Sequence, residues 1–142
     1  MKAVVDTNVL ISALLFPGGA PDRVLRAALR GHYDLVLSPF IIQELARVLE
    51  RKFGYTGEEA KAVAEFIENS ASVIVAPSVV PEIITSKKAD NEILACALEA
   101  GADYLVTGNL KHIYPLKNVG TTKIVSPAGF LAILQSQGKA PP

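Results

Sequence analysis

Ala3-Val4-Val5-Asp6-Thr7-Asn8 is the stretch that decides the fold of this chain. The wholly apolar run Ala3–Val5 predicts a short strand buried on both faces, which is typical of a central strand in a parallel sheet. The run ends at the carboxylate of Asp6, and burying a charge is costly unless another group compensates it. In open parallel sheets, ligands bind outside the carboxyl ends of the strands. Asp6 therefore predicts a site at that edge of the sheet.

Strand and helix patterns alternate along the rest of the chain. Short apolar runs predict further strands at 35–37, 72–76, 104–107 and 123–125. Helices are predicted at 10–15, 21–30, 39–53, 58–69, 90–100 and 127–135, with a loop at 77–88. This order predicts an α/β fold, a three-layer α/β/α sandwich with a mostly parallel sheet of about five strands. We expect a single domain over residues 1–137 and a short frayed tail at 138–142.

Composition limits the class of protein further. A chain of 142 residues is long enough for one domain with a sizeable core. The 14 Lys and Arg residues balance the 14 Asp and Glu residues, so any binding of a polyanion must be local. The single cysteine, Cys96, excludes an intramolecular disulfide and fits a reducing compartment. We expect neither a signal peptide nor a membrane span, and hence a cytoplasmic protein.

Two further acids are predicted to lie beside Asp6. Glu44 lies on the long third helix, where Ile41 and Val48 occupy neighbouring positions of the same face. Asp90 opens a later helix that carries its own apolar face. Each acid has an ordinary explanation, since a boundary glutamate can reach water and an acid stabilises a helix start. Three acids on sheet-facing positions of distant segments nevertheless favour a shared site.

Asn109 is the fourth candidate site residue. It follows the predicted strand 104–107 and so falls on the same edge of the sheet as Asp6. Asp103 precedes that strand and, at roughly 3.3 Å per residue, lies on the order of 13 Å from this edge. An ordinary role as a turn amide after Gly108 competes with a functional role for Asn109.

Clustered carboxylates without a His or Cys set favour a hard divalent cation, Mg²⁺ or Mn²⁺. Such a site suits phosphodiester hydrolysis, because the cation activates water and stabilises the charge that develops on the phosphate. The chain has no Walker loop, no GxGxxG after a strand, no HExxH and no Gly-x-Ser-x-Gly elbow. An aspartyl-phosphate phosphatase typically has a second aspartate two positions after the first, where this chain has Asn8.

Together, these segments resemble PIN-domain proteins, and most closely the VapC-like toxins of prokaryotic toxin–antitoxin systems. The resemblance covers nearly the whole chain, in the right order. The residues that carry it are Asp6-Thr7-Asn8-Val9, Ser38-Pro39 with Glu44-Leu45, Ala89-Asp90-Asn91 through Ala95, and Gly101 through Asn109. The resemblance implies a PIN-like fold and an endoribonuclease that cuts RNA with Mg²⁺ or Mn²⁺. It also implies a homodimer and a cognate antitoxin that covers the active groove.

The resemblance assigns roles residue by residue. Asp6, Glu44 and Asp90 match the three acids of the family, and Asn109 falls where many members carry a fourth aspartate. We expect Asp6 and Asp90 to bind the metal, Glu44 to bind it or to position the attacking water, and Asn109 to supply an amide oxygen or a water-mediated contact. Two alternatives stay open: a catalytically impaired PIN domain that binds RNA or protein, motivated by Asn109, and a metal-dependent phosphatase.

Substrate contacts are predicted from polar side chains near these positions. The predicted set is Arg47, Lys88, Thr107 and Lys111, with Arg51, Lys87 and His112 similarly placed. For any one cation, a role as an ordinary solvated surface charge is the alternative. A separate apolar stripe, formed by Ala60, Val63, Ala64 and Ile67, fits either a dimer seam or ordinary core packing.

Overall fold

A six-stranded sheet with the strand order β3-β2-β1-β4-β6-β5 forms the centre of the computed structural model, which describes residues 1–139. The strands are β1 Lys2–Val5, β2 Asp34–Leu37, β3 Val73–Ile74, β4 Tyr104–Val106, β5 Asn118–Val119 and β6 Thr122–Val125. All neighbouring strands are parallel except the β5–β6 pair. The predicted α/β sandwich with a mostly parallel sheet is confirmed.

In the described part of the chain, six α-helices accompany the sheet: α1 Thr7–Leu15, α2 Ala20–Leu29, α3 Pro39–Phe53, α4 Gly57–Ser70, α5 Lys88–Ala100 and α6 Pro127–Ser136. Side-chain caps define the starts of α3 and α4. Ser38 Oγ accepts the Ile41 N–H at the start of α3, and Thr56 and Glu59 form a reciprocal capping box at the start of α4. The α5 helix begins at Lys88, earlier than predicted, so Asp90 lies within its first turn.

The central strands β1 and β2 are buried on both faces of the sheet. Ala3, Val4 and Val5 of β1 are buried, as are Leu35, Val36 and Leu37 of β2. Successive residues of a strand point to opposite faces, so both faces of these strands are packed against other elements. Within residues 1–139, no helix has both the length and the apolar character needed to cross a bilayer.

The order of the strands creates a switch point beside β1. From β1 the chain proceeds to β2 and β3 on one side, and then returns to β4 on the other side. In doubly wound sheets, the crevice at such a reversal is where ligands bind. Val5 of β1 is paired with Val106 of β4, so Asp6 and Thr107 follow adjacent strands at this point.

Both edge strands of the sheet differ from the sequence prediction. The short strand β5 was not predicted, because two residues are too few to form a recognisable pattern; it pairs with β6 through a tight turn at Gly120 and Thr121. The strand β3 covers Val73–Ile74 only, although Ser72 and Val75 also donate backbone hydrogen bonds to β2. Of the predicted tail, residues 140–142 lie outside the described residues.

The apolar stripe on α4 is part of the core of this chain. Ala60, Ala64 and Ile67 are buried without any second copy, and α4 packs against α3. Core packing therefore accounts for these three residues of the stripe, and Val63 is half-buried against the same core.

Candidate active site

Asp6 lies at the carboxyl end of β1, where neighbouring elements hold it in place. Its side chain is only 5% exposed, and its backbone N–H donates to the carbonyl oxygen of Val106 at 2.9 Å. The hydroxyl of Thr107 donates to Asp6 Oδ2 at 2.8 Å. Thr107 itself is fully buried, so it supports Asp6 from within the protein. This burial corrects the predicted role of Thr107 as a substrate-binding residue and makes it a positioning residue.

The four predicted site residues surround one open cleft of about 310 Å³. Asp6 reaches it from β1, Glu44 from α3, Asp90 from α5 and Asn109 from the loop after β4. The other residues that line the cleft are Thr7, Asn8, Ile11, Arg47, Val48, Lys52, Ala89 and Ile93. The fold thus brings together acids that are distant in sequence, as their positions in the sequence predicted.

The surroundings of Asp6 do not fully compensate the negative charge of its carboxylate. Burial raises the pKa of Asp6 to about 6, against an ordinary value of 3.8. The hydrogen bond from Thr107 lowers this pKa, whereas the negative charges of Glu44 and Asp90 raise it further. The described residues around Asp6 therefore favour its neutral form more than water does, and a cation in the cleft would reverse that preference.

Asn109 is bonded both to Asp90 and to the loop that follows it. Its Nδ2 donates to Asp90 Oδ1 at 3.1 Å, while its Oδ1 accepts the backbone N–H of His112 at 3.0 Å. One lone pair of the amide oxygen is thus used by the backbone, and the contact to a metal or its water that was expected of Asn109 stays a prediction. Because an amide can donate where a carboxylate cannot, Asn109 orients the Asp90 carboxylate.

The cleft offers hard oxygen donors without forming a closed metal cage. Among residues 1–139, no three Asp, Glu, His or Cys side chains are grouped so that they could hold a metal ion together. Mg²⁺ usually retains several waters and uses only one or two protein carboxylates, so an open, acid-lined cleft suits it. Thr7 adds a second indication, because its buried Oγ1 has no hydrogen-bond partner in the protein. The chemistry of the donors therefore fits a hydrated Mg²⁺ or Mn²⁺ ion.

Of the cations predicted to contact substrate, Arg47 and Lys88 lie at or beside the cleft, whereas Lys111 and Arg51 do not. Arg47 lines the cleft and its Nη2 lies 3.6 Å from Glu44 Oε2, whereas Lys88 lines an adjoining cavity. Lys111 and Arg51 are exposed and are not among the residues that line the cleft.

Among the polar residues of the cleft, Thr7, Asn8 and Lys52 were not predicted as site residues. Lys52 follows Glu44 and Val48 at successive spacings of four residues on α3. Residues at this spacing share one face of a helix, so the sequence could have predicted that Lys52 lies near Glu44. Asn8 Oδ1 accepts the Gly108 N–H at 3.2 Å and thereby connects the first turn of α1, next to Asp6, to the loop that carries Asn109.

Fold and site together define an α/β protein with an acid-lined cleft at the switch point of a doubly wound sheet. The PIN domain profile matches residues 2–111, and this chain belongs to the PIN domain family. This family membership supports a nuclease-type hydrolase of phosphodiester bonds. The predicted membership is confirmed.

Two similar proteins accompany this family match. The chain is 31% identical over 114 residues to the uncharacterized protein MJ1680 of Methanocaldococcus jannaschii, covering 77% of this chain and 71% of the relative. It also shares its fold with a chain in the crystal structure of VapBC2 from Rickettsia felis bound to a DNA fragment from their promoter. That match has a TM-score of 0.63 and 15% identity and covers 89% of this chain and 98% of the other.

Proposed function

We propose that this protein is an Mg²⁺- or Mn²⁺-dependent endoribonuclease, acting as the toxin of a toxin–antitoxin pair. The observation that carries the proposal is the convergence of Asp6, Glu44 and Asp90 on one cleft at the switch point. Residues 1–137 would act as a single domain. The likeness of this fold to a chain of a VapBC2 complex supports a cognate antitoxin as partner. We also retain a homodimer and a cytoplasmic location as part of this proposal.

Each cleft residue has a defined role in this proposal. Asp6 and Asp90 would hold the cation, and Glu44 would bind it or orient the attacking water. When bound, the cation would lower the pKa of water and stabilise negative charge on the phosphate. Thr107 fixes the Asp6 carboxylate, and Asn109 fixes that of Asp90. Arg47 and Lys52 lie where they can bind the phosphates of the substrate.

The position of Asn109 motivates a second candidate function. With an amide bonded to Asp90 in place of a fourth carboxylate, the cleft carries less negative charge than in many PIN domains. A catalytically impaired PIN domain that binds RNA or protein is therefore the alternative, and a metal-dependent phosphatase is the third possibility.

One cleavage assay separates these candidates. Purified protein is incubated with RNAs that contain stems and single-stranded loops, with EDTA, Mg²⁺ or Mn²⁺. Asp6→Asn tests the site, and Asp103→Asn is the matched control, because Asp103 is exposed and precedes β4. We expect metal-dependent cutting that Asp6→Asn abolishes and Asp103→Asn preserves. Binding without cutting in any metal supports the impaired module, and phosphate release from small esters without RNA cleavage supports the phosphatase.

A further inference from the structure

A second cavity continues the catalytic cleft along α3. It has a volume of about 370 Å³ and is lined by Phe40, Gln43, Glu44, Arg47, Lys88 and Ala89. Glu44, Arg47 and Ala89 line both cavities, so the two spaces adjoin. The volume falls within the range of roughly 300–1,000 Å³ that is typical of small-ligand sites.

The lining of this cavity combines the three chemistries that recognise a nucleotide. Phe40 supplies a half-buried aromatic ring on which a base can stack. Gln43 is exposed, and its amide can both donate to and accept from the edge of a base. Arg47 and Lys88 supply positive charge for phosphate. Arg47 is partly neutralised by Glu44, whose Oε2 lies 3.6 Å away, so an apolar side chain of a protein partner would use the ring but would leave the Lys88 charge unused.

Both walls of the cavity are held in place before any ligand arrives. The Ser38 cap fixes the first turn of α3, next to Phe40. Across the cavity, the buried Asn91 side chain accepts the N–H groups of Ile83 and Ile84 and donates to the Ile84 carbonyl. These three bonds attach the preceding loop to α5, whose first residue is Lys88. A preorganised site of this kind loses little conformational freedom on binding.

We propose that this cavity is a subsite for one single-stranded nucleotide flanking the bond that is cleaved. Its base stacks on Phe40, the amide of Gln43 contacts the edge of the base, and Lys88 with Arg47 binds its phosphate. This inference rests on the proposed ribonuclease function and adds to it a determinant of the cleavage position. The protein would therefore select cleavage sites partly by the identity of this neighbouring base.

The test measures RNA affinity separately from cleavage. Fluorescence anisotropy with four labelled single-stranded homo-oligoribonucleotides is recorded in EDTA, which prevents metal-dependent cutting. Phe40→Leu is compared with Phe66→Leu, whose ring is exposed on α4, and Gln43→Ala with the exposed Gln135→Ala on α6. Thermal unfolding confirms that each variant is folded.

We expect Phe40→Leu to weaken binding about tenfold, as the loss of one stacked base predicts. Gln43→Ala is expected to change the relative affinities for the four oligonucleotides by about two- to tenfold. Equal affinities for wild type and both variants, including no binding by any of them, overturn the subsite. If Asp6→Asn abolishes cleavage but Phe40→Leu and Gln43→Ala leave cleavage unchanged, the ribonuclease function is supported and the subsite is rejected. A loss of binding in Phe40→Leu without any metal-dependent cleavage by wild type shows a nucleotide-binding cavity, but it rejects the ribonuclease and with it a subsite beside the cleaved bond.

Discussion

Replacing Asp6 with asparagine is expected to stabilise the metal-free protein while abolishing its proposed activity. In the folded protein, the pKa of Asp6 is raised to about 6 by burial, compared with 3.8 ordinarily. Between these two pH values the folded state binds the proton more tightly than the unfolded state does, so the free energy of unfolding falls as pH rises. Above pH 6 this destabilisation is fully present. At about 1.36 kcal/mol for each pH unit between the two values, it amounts to about 3 kcal/mol.

Asp6→Asn removes the charge but retains an oxygen that can accept the Thr107 hydrogen bond. In EDTA at pH 7.5, we therefore expect its free energy of unfolding to exceed that of wild type by up to about 3 kcal/mol. At pH 4 the difference should nearly vanish, because the wild-type carboxyl is then protonated in the folded state. Urea denaturation at both pH values measures it.

Asp103→Asn provides the control, since this exposed side chain retains its hydrogen bond to Lys2 as an amide. Its stability should follow that of wild type at both pH values. An Asp6→Asn variant that is less stable than wild type at pH 7.5, or a gain that is the same at pH 4, would refute the electrostatic argument.

Three further predictions follow from individual contacts in the cleft. Thr7→Val should raise metal-free stability by about 1 kcal/mol in urea denaturation, because Thr7 Oγ1 is buried without a partner; Thr7→Ser, which keeps the hydroxyl, should not. Asn109→Asp should lower stability in EDTA through repulsion with Asp90 but enlarge the rise in melting temperature on adding Mg²⁺, measured by thermal-shift titration. An unchanged metal response would count against the role of Asn109. Lys52→Gln should reduce the slope of log affinity against log salt by about 0.7 for single-stranded RNA, whereas Arg51→Gln on the same helix should leave it unchanged.

The sequence was sufficient to predict the acids because each one lies in a strong local pattern. Asp6 ends an apolar strand, Glu44 borders a periodic helical face and Asp90 lies in the first turn of a helix. These patterns fix the direction of each element, and parallel pairing then brings their ends together.

Roles that depend on tertiary contacts were less predictable. Thr107 is buried because β4 pairs with β1 and directs its hydroxyl toward Asp6, which cannot be inferred from β4 alone. The bonds of Asn109 depend on the turn that places the His112 N–H beside it. Lys52 is the exception, since its spacing from Glu44 was visible in the sequence.

Cations beside the acidic cleft reconcile a chain of zero net charge with the proposed polyanionic substrate. Arg47 and Lys52 line the acidic cleft, and Lys88 lies in the adjoining cavity, so cations flank the site although the net charge of the chain is zero. Contacts of this kind position a nucleic acid through its phosphates. The cation in the cleft would offset the remaining negative charge of Asp6 and Asp90.

The most direct test of the central claim is a titration of the purified protein with Mn²⁺. Binding is measured as the loss of the electron paramagnetic resonance signal of the free ion. We predict binding by wild type and by Asp103→Asn, and its loss in Asp6→Asn and in Asp90→Asn, because these two carboxylates face the cleft. Equal Mn²⁺ binding by all four proteins, or none by wild type, would contradict a divalent-cation site at Asp6.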